Sequence, residues 1–508
     1  MTTARSRTLA LVGLEPALVD VEVQLSSGLP AFTIVGLPDK AVAESRERVR
    51  AALSMINLAL PPRRITVNLA PGDLAKEGSH YDLPIALGLL AVMGIVPTEA
   101  LDDRLVLGEL GLDASIRPVN GVLAAAIAAS THDLDLICPA ACGTEAAWLG
   151  DIVRITAAGD LMHLIAHLRG DTILPVPEPR LPLEETAALD LRDVKGQESA
   201  KRALEVAAAG GHNLAMIGPP GSGKSMLAAR LESILPPLSA PEMLEVGLIR
   251  SVGGKLKDGM LSRRRPFRNP HHAASMAAMV GGGTHARPGE VSLAHNGVLF
   301  LDELPEFSRN VLEALRQPLE TGTVTIARAN HHVTYPARVQ LVAAMNPCRC
   351  GHMDDPALAC ARAPKCGGDY LKRISGPLFD RIDLHVDVQA VSPQDLSLPV
   401  PGEGSAQVAA RVAAAREVQA MRYAELGRPD IAINAVIEGQ LLDQVCPLDA
   451  AAGTLLRRAI DHLRLSARGY HRVLKVARTL ADLDGRDGIA KVHVAEAIAL
   501  RRRGSPRS

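Results

Sequence analysis

The chain of 508 residues is too long for a single hydrophobic core, and at about 150 residues per domain it predicts roughly three domains. A hydrophobic share of 47% beside 22% charged residues is typical of folded globular proteins and excludes global disorder. The net charge of −1 excludes a polycation, so nucleic-acid binding would require local basic patches. The aromatic share of 2% argues against a surface built on base stacking.

The N-terminal segment predicts neither a signal peptide nor a membrane anchor. Its apolar residues are interrupted by Glu15 and Asp20, and no small-residue cleavage site follows them. The longest apolar run, residues 83–96, is shorter than the roughly 20 residues that a membrane helix needs. We therefore expect a cytoplasmic protein without a membrane partner, in which the 7 cysteines do not form a disulfide framework.

Residues 1–172 alternate short strands with helices and predict a separate α/β domain. The alternation predicts strands at 21–25, 32–35 and 64–69 and an amphipathic helix at 41–53. Residues 173–190 follow as a linker, because prolines interrupt every apolar period there.

The segment 191–391 predicts a nucleotide-binding α/β core. A buried strand at 214–217 leads into a glycine-rich loop and then a helix, which is the order of a phosphate-binding loop. The loop consists of Gly218, Pro219, Pro220, Gly221, Ser222, Gly223, Lys224 and Ser225. Its backbone N–H groups and Lys224 would hold the phosphates of ATP, and the Ser225 hydroxyl would ligate Mg²⁺. A chance glycine-rich turn is the alternative, which the flanking strand and helix disfavour.

Polar residues at the ends of other predicted elements complete a candidate ATP site. Val194 and Gln197 precede a helix predicted over 198–209, a position that commonly surrounds the adenine in nucleotide-binding ATPases. Asp302 and Glu303 end a buried strand, where Asp302 would hold Mg²⁺ through water and Glu303 would deprotonate the attacking water. Asn346 ends a third buried strand at 339–345 and would contact the γ-phosphate or the water.

Two arginines are candidates for sensing or completing the nucleotide site. Arg381 is interpreted as an arginine finger that reaches the nucleotide of a neighbouring subunit, because phosphoryl transfer needs a cation at the γ-phosphate. Residues 392–508 predict a Pro/Gly-rich linker, which extends to about residue 407, and then a helical lid. Ser466 would cap one lid helix, which makes Arg468 the candidate lid arginine and Arg472 the alternative.

Basic residues in two insertions are candidates for DNA contacts. The run from 250 to 268 includes Arg263, Arg264, Arg265 and Arg268 and has one acidic residue, Asp258, which suits a loop that tracks phosphates. The segment 323–335 predicts a β-hairpin that carries Arg328, His331 and His332 near its tip. The alternative for both insertions is an ordinary solvated loop.

Four cysteines follow Asn346 in a C-x-C-x9-C-x5-C arrangement. Cys348, Cys350, Cys360 and Cys366 could close a tetrahedral structural Zn²⁺ site, although this spacing is not one of the common finger patterns. Reduced thiols without a metal are the alternative.

The motifs together resemble AAA+ ATPases of the branch that contains magnesium-chelatase ATPase subunits and the MCM helicases. The first domain resembles the proteolytic domain of Lon-type proteases, but His80 stands where that family has its serine and Leu123 where it has its lysine. Ser79 lies one position away and would lack an activating lysine, so we expect no peptidase activity.

The order of a Lon-like domain, a chelatase-type ATPase and a helical lid resembles the ComM/YifB family over nearly the whole chain. The resemblance implies a hexameric, ATP-dependent DNA helicase that drives branch migration during natural transformation. The alternative is a magnesium-chelatase-like ATPase that remodels a protein partner and has no DNA activity.

Overall fold

The computed structural model describes residues 2–182, 189–283, 286–327, 332–351, 353, 359–363, 365–390, 397, 402–463 and 465–501. Of the predicted hairpin contacts, Arg328 and His331 lie outside the described residues, and His332 is described by its backbone alone. No helix among the described residues is long and apolar enough to cross a membrane.

A sheet of 7 strands forms the framework of the N-terminal part. Its order from edge to edge is β3-β4-β2-β1-β5-β8-β9, and β6 and β7 form a separate ribbon. The strands are β1 (Thr2–Val12), β2 (Glu15–Ser26), β3 (Ala31–Val35), β4 (Arg64–Ala70), β5 (Arg104–Val106), β6 (Glu109–Leu110), β7 (Ile116–Arg117), β8 (Asp135–Pro139) and β9 (Ile155–Ala158). Every second residue of β2 from Val19 to Leu25 is buried, as expected for a strand with one face on a core.

Helices cover this sheet, and the predicted elements of the domain are confirmed. The helices are α1 (Lys40–Met55), α2 (Asp82–Val92), α3 (Glu99–Asp102), α4 (Val122–Thr131), α5 (Gly143–Ala146) and α6 (Leu161–Arg169). The apolar run at 83–96 is mostly α2, which is buried around nearly its whole circumference. A helix inside a core therefore explains the run that would be too short for a membrane span.

The central part is built on a parallel sheet of 5 strands in the order β11-β14-β17-β10-β18. The strands in this part are β10 (Leu214–Ile217), β11 (Phe267–Arg268), β12 (Gly281–Gly282), β13 (Arg287–Pro288), β14 (Gly297–Leu301), β15 (Thr323–Ala327), β16 (His332–Pro336), β17 (Val339–Met345) and β18 (Leu384–Asp387). Strands β15 and β16 form the predicted hairpin. Both faces of the sheet are buried, since Val342 packs into one hydrophobic cluster and Leu341 and Ala343 into another.

The helices around this sheet lie on both faces. They are α7 (Glu198–Gly210), α8 (Lys224–Arg230), α9 (Ala240–Val252), α10 (Met276–Val280), α11 (Glu290–Leu293), α12 (Arg309–Ala314), α13 (Pro318–Thr321), α14 (Lys365–Leu371) and α15 (Gly376–Phe379). Short 3₁₀ turns elsewhere in the chain are Ser79–Tyr81, Ala140–Cys142, Ala147–Leu149, Leu191–Asp193, Leu231–Ile234, Leu304–Glu306 and Asn434–Val436.

The C-terminal part is helical, as predicted, but it shares its hydrophobic core with the central part. Its helices are α16 (Ser405–Glu425), α17 (Gly439–Val445), α18 (Ala450–Leu463), α19 (Ala467–Leu483) and α20 (Lys491–Ala499). One continuous cluster joins Leu204 of α7 and Leu214 of β10 to Leu480 of α19. Helix α16 begins inside the segment predicted as linker, because the backbone N–H of Ser405 donates to the Asp190 carboxylate at 2.9 Å and anchors the helix start to the core.

The N-terminal part packs on the central part through a small apolar cluster. Leu123 of α4 lies in this cluster with four residues on or beside α9: Leu238, Met243, Val246 and Leu261. Next to it, the Glu145 carboxylate accepts hydrogen bonds from the Leu123 backbone N–H at 2.9 Å and from the Ser251 hydroxyl. The position at which Lon-type proteases carry a lysine is therefore part of a contact between domains.

Candidate nucleotide site

Strand order brings the predicted ATP-site residues to one edge of the central sheet. Strand β17 lies between β10 and β14 and runs parallel to both. The carboxyl ends of parallel strands meet at the same edge, which is where open α/β sheets bind ligands. Lys224 after β10, Asn346 after β17, and Asp302 and Glu303 after β14 therefore surround one cleft.

This cleft has a volume of about 370 Å³ and opens to solvent. The residues that line it are Pro220, Gly221, Ser222, Gly223, Lys224, Ser225, Met226, Asp302, Glu303, Met345 and Asn346. The predicted catalytic and phosphate-binding residues of the core that would act within their own subunit line the same space, apart from Gly218 and Pro219 at the start of the loop; the lid residue Arg468 does not line it.

The phosphate loop has a backbone that its glycines make accessible. Gly221 and Gly223 have φ angles of 76° and 88°, in the left-handed region that favours glycine. A Cβ at Gly218 would lie 2.0 Å from the Val388 carbonyl oxygen, so no larger residue fits there. The loop thus exposes backbone N–H groups toward an anion.

Lys224 is folded over the loop. Its ammonium donates to the carbonyl oxygens of Gly218 and Pro219 at 2.8 Å and to the Asn346 side-chain oxygen at 3.2 Å. Burial lowers the pKa of Lys224, while the Asp302 and Glu303 carboxylates oppose this shift. An arriving phosphate would replace the carbonyl partners with a full negative charge.

The two side chains that would supply hard oxygen ligands to Mg²⁺, those of Ser225 and Asp302, contact each other. The Ser225 hydroxyl donates to an Asp302 carboxylate oxygen at 2.7 Å, and the other Asp302 oxygen accepts from the Glu303 backbone N–H at 2.9 Å. A hydroxyl and a carboxylate beside a phosphate site are the protein ligands that Mg²⁺ takes in nucleotide enzymes, so these residues fit the metal.

Glu303 differs from its neighbours in backbone and in environment. Its φ of 52° is left-handed, an unusual conformation for a residue with a side chain. Its side chain is 52% exposed, and the Nδ1 atom of His272 lies 3.4 Å from its Oε2 atom. Sequence reasoning missed this neighbour, although the parallel pairing of β11 with β14 places the residues after each strand side by side.

The predicted adenine residues lie next to the phosphate loop. Val194 is buried, and Gln197 has a left-handed φ of 60° at the start of α7. The Gln197 side-chain amide donates to the Gln389 carbonyl oxygen at 2.6 Å and to the Ser222 carbonyl oxygen at 3.5 Å. These bonds tie the segment before α7 to the phosphate loop.

Arg381 and the lid arginines lie in contrasting environments. The Arg381 guanidinium pairs with Glu320 and donates to the Pro377 carbonyl oxygen at 2.8 Å, which leaves the side chain 11% exposed. Arg472 pairs with Asp383, whose carboxylate also accepts from the Asn213 backbone N–H at 2.9 Å. Arg468 is exposed and has no hydrogen-bond or ion-pair partner among the described residues. Arg468 is thus the lid arginine available to a ligand.

The basic run does not present all of its charges to solvent. Arg265, one of the predicted DNA contacts, is engaged within the chain: its guanidinium bonds to Glu242 at 3.1 Å and to the Pro236 and Asn296 carbonyl oxygens, and its side chain is 11% exposed. Arg268 forms a two-point ion pair with Glu290, and Arg264 pairs with Glu232 at 3.0 Å. Arg263 is exposed. These pairs connect residues distant in sequence, which local charge counting cannot detect.

Three of the four cysteines of the predicted metal site come together after β17. The sulfur atoms of Cys348, Cys350 and Cys366 lie within 4.8 Å of one another. Cys360 lies outside this group, although its thiol interacts with that of Cys366 and helps to raise the pKa of Cys366. Gly351 packs on the phosphate loop, since a Cβ there would lie 2.6 Å from Pro220 Cδ. Three convergent thiols, with Cys360 as the candidate fourth ligand, are a donor set that fits Zn²⁺.

The residues at the Lon-like positions are engaged in structural contacts. The Ser79 hydroxyl donates to the Glu109 carboxylate. The His80 ring is buried, and its Nε2 atom lies 2.8 Å from the Leu9 carbonyl oxygen. With Leu123 in the contact between domains, these positions hold no paired nucleophile and amine.

Comparison with known families and proteins places matches along the whole chain. Residues 190–396 match the family described as magnesium chelatase, subunit ChlI; residues 21–141 match subunit ChlI of Mg-chelatase; and residues 402–501 match the C-terminal part of subunit ChlI. The chain is 44% identical to YifB of Escherichia coli strain K12 over 502 residues, which is 99% of this chain and 97% of YifB.

Two further relatives match over a similar extent. Competence protein ComM of Haemophilus influenzae is 44% identical over 507 residues, which is 99% of this chain and 98% of ComM. A protein of Mycobacterium tuberculosis strain H37Rv, Rv2897c, is 44% identical over 509 residues and covers 100% of both chains.

Proposed function

The chain belongs to the ComM/YifB family of magnesium-chelatase-like AAA+ ATPases, and from that premise we propose that it is an ATP-driven motor that acts on DNA as a homohexamer. The observation that carries the proposal is the cleft in which Lys224, Ser225, Asp302, Glu303 and Asn346 meet. The similarity to a protein named for competence supports a role in the handling of transforming DNA, by branch migration, in the cytoplasm.

The residues of the cleft divide the work of ATP hydrolysis. Lys224 would leave the loop carbonyls to neutralise the β- and γ-phosphates, and Asn346, its present partner, would follow it to the γ-phosphate. Ser225 and Asp302 would hold Mg²⁺, which spreads the developing phosphate charge. Glu303 would orient the attacking water and accept its proton.

Assembly would complete the site. Arg381 would act on the nucleotide of an adjacent subunit, for which it must exchange Glu320 for the γ-phosphate. Arg468, exposed at the start of α19, would report the nucleotide state through the lid. The lid can transmit such a signal because it shares a core with the sheet that carries the phosphate loop.

The DNA contacts would come from the exposed members of the two insertions. Arg263 is exposed and has no ion-pair partner among the described residues, and the tip residues Arg328, His331 and His332 remain candidates from the sequence. Arg264 and Arg268 could contribute only by sharing their charge with Glu232 and Glu290.

The proposal is tested by ATPase rate and strand displacement, each measured with a synthetic branched DNA, with single-stranded DNA and without DNA, at two salt concentrations. DNA should stimulate ATP hydrolysis, and the stimulation should fall at higher salt because phosphate contacts release counterions. Lys224→Ala should abolish nucleotide binding, whereas Glu303→Gln should bind ATP without turnover.

A motor that remodels a protein partner is the second candidate, favoured by the ion pairs that occupy Arg264, Arg265 and Arg268. Basal ATPase activity that no DNA changes would support this candidate and contradict the DNA motor.

A structural zinc ion at Cys348, Cys350, Cys360 and Cys366 is a separate part of the proposal, supported by the convergent thiols. Purified protein should contain about one zinc per chain by elemental analysis, and Cys366→Ser should lower that content and the melting temperature. Cys138→Ser is the control for zinc content alone, because Cys138 lies in an apolar core away from this cluster, where a serine would itself lower the melting temperature. Metal-free protein with an unchanged melting temperature would contradict the site.

A further inference from the structure

The carboxylate of Glu303 has a partner outside the nucleotide-site motifs. The Nδ1 atom of His272 lies at ion-pair distance, 3.4 Å, from Glu303 Oε2. Glu303 lines the nucleotide cleft and His272 does not, so the imidazole contacts the carboxylate from outside the cleft. One carboxylate oxygen can thus be held by the ring while the other stays free for water.

The fold fixes His272 at this point. Strand β11 runs parallel to β14 with Arg268 opposite Leu299, so the residues after both strands leave the sheet at the same edge. Arg268 anchors the end of β11 through bonds of 2.6 and 2.7 Å to Glu290. The His272 ring also lies edge-on to the buried Phe307 ring, with centroids 6.5 Å apart at 81°.

We propose that His272 is a positioning residue for ATP hydrolysis, which holds the Glu303 carboxylate in the orientation that activates water. Glu303 needs such a restraint because its side chain is 52% exposed, and a carboxylate in solvent samples several rotamers. A base that a third group orients is the arrangement that makes proton abstraction efficient in many hydrolases. This inference rests on the proposed ATPase function.

The test compares His272→Ala, His272→Asn and His271→Ala in steady-state ATPase assays, with a fluorescent ATP analogue to measure binding. His272→Ala should lower kcat about 10- to 100-fold while KM and analogue affinity stay within about twofold. His272→Asn should recover most of the rate, because the asparagine amide nitrogen occupies the position of Nδ1. The His271 ring lies beside the His272 ring, with centroids 4.1 Å apart at 32°, and forms no ion pair with Glu303 among the described residues, so His271→Ala should match the wild type.

Glu303→Gln is measured in parallel, so that a failure of the proposed catalytic site can be distinguished from a failure of the positioning role. If Glu303→Gln retains the wild-type rate, the proposed catalytic site itself is wrong. If Glu303→Gln stops turnover but His272→Ala does not change kcat, the positioning role alone is overturned. Equal losses in His272→Ala and His272→Asn, or a loss of analogue binding or melting temperature with kcat, would assign His272 a role in folding instead.

Discussion

Arg381, the proposed arginine finger, is held by contacts within its own subunit. Its ion pair with Glu320 and its bond to Pro377 satisfy the guanidinium inside one subunit. Glu320 itself is 58% exposed, so water screens the pair and the net stabilisation is small, about 1 kcal/mol or less. A neighbouring γ-phosphate carries more negative charge than one carboxylate and can compete for the arginine.

A subunit-mixing experiment tests action between subunits. Arg381→Ala and Glu303→Gln should each lower ATP turnover by at least about 100-fold. An equal mixture should recover roughly a quarter of the wild-type rate, because some interfaces then combine an intact Glu303 with an intact Arg381.

Lys224→Ala mixed with Glu303→Gln is the control for this experiment, since both changes damage the same subunit's site and no interface can regain both groups. A mixture with Arg381→Ala that stays as inactive as this control would contradict the finger.

The sequence predicts a functional residue well when the residues that shape its environment are its neighbours in the chain. Lys224 and Ser225 are recognisable because the glycines that shape their loop lie beside them in the chain, and the structure brings both to the cleft. The environment of Arg265 is not recognisable from the sequence, because its partners Glu242 and Asn296 come from other segments and only the fold brings them together. The contact of His272 with Glu303 could not be predicted for the same reason.

Among the elements, strands and helices with strong periodicity are predicted closely. Strands β10 and β17 begin and end where the apolar runs do, and the cap of α19 is Ser466, whose hydroxyl accepts from the Gly469 backbone N–H at 3.2 Å. The position of β17 between β10 and β14 is set by tertiary packing and cannot be predicted from a local sequence pattern. Yet that order is what brings Asn346 to Lys224.

The joint between lid and core contains a histidine that makes stability depend on pH. His212 is fully buried, and its Nε2 atom lies 2.8 Å from the Thr479 hydroxyl of α19. Burial lowers its pKa to about 4, a shift that the Asp383 charge opposes in part. Between pH 6.5 and pH 4, His212 is therefore protonated in the unfolded chain but neutral in the folded chain. The free energy of unfolding falls as the pH drops from about 6.5 toward 4.

Between pH 7 and pH 5 this histidine should remove about 2 kcal/mol of stability. We expect the melting temperature of the wild type to fall more over this range than that of His212→Gln, which cannot titrate. His132→Gln is the control, because His132 is exposed at the end of α4 and forms no ion pair among the described residues. Parallel pH profiles for wild type and His212→Gln would contradict this account.

For the whole molecule, the contact between the N-terminal and central parts depends on Leu123. The side chain is fully buried among Leu238, Met243, Val246 and Leu261. A second contact joins the β1–β2 turn to the hairpin, where a Cβ at Gly13 would lie 2.3 Å from Val333 Cγ1. The N-terminal part therefore touches both a helix of the ATPase core and the hairpin that is a candidate for DNA contact.

Leu123→Ala should open this joint. The lost packing and the remaining cavity should cost about 2–5 kcal/mol, which we expect to appear as a lower melting temperature and as faster proteolysis between the two parts. Leu29→Ala should change neither, since Leu29 is 88% exposed in the same domain. Wild-type protease resistance in Leu123→Ala would show that other contacts hold the parts together.

The edge strand β18 of the central sheet makes its last contacts with the C-terminal end of the described chain. The Leu500 carbonyl oxygen accepts from the His385 backbone N–H at 2.6 Å, and Arg501 bonds to the Ile382 and Asp383 carbonyl oxygens. During translation the phosphate loop leaves the ribosome long before Leu500 is added. The nascent chain therefore carries an edge strand without these last contacts from the synthesis of β18 until Leu500 and Arg501 are added.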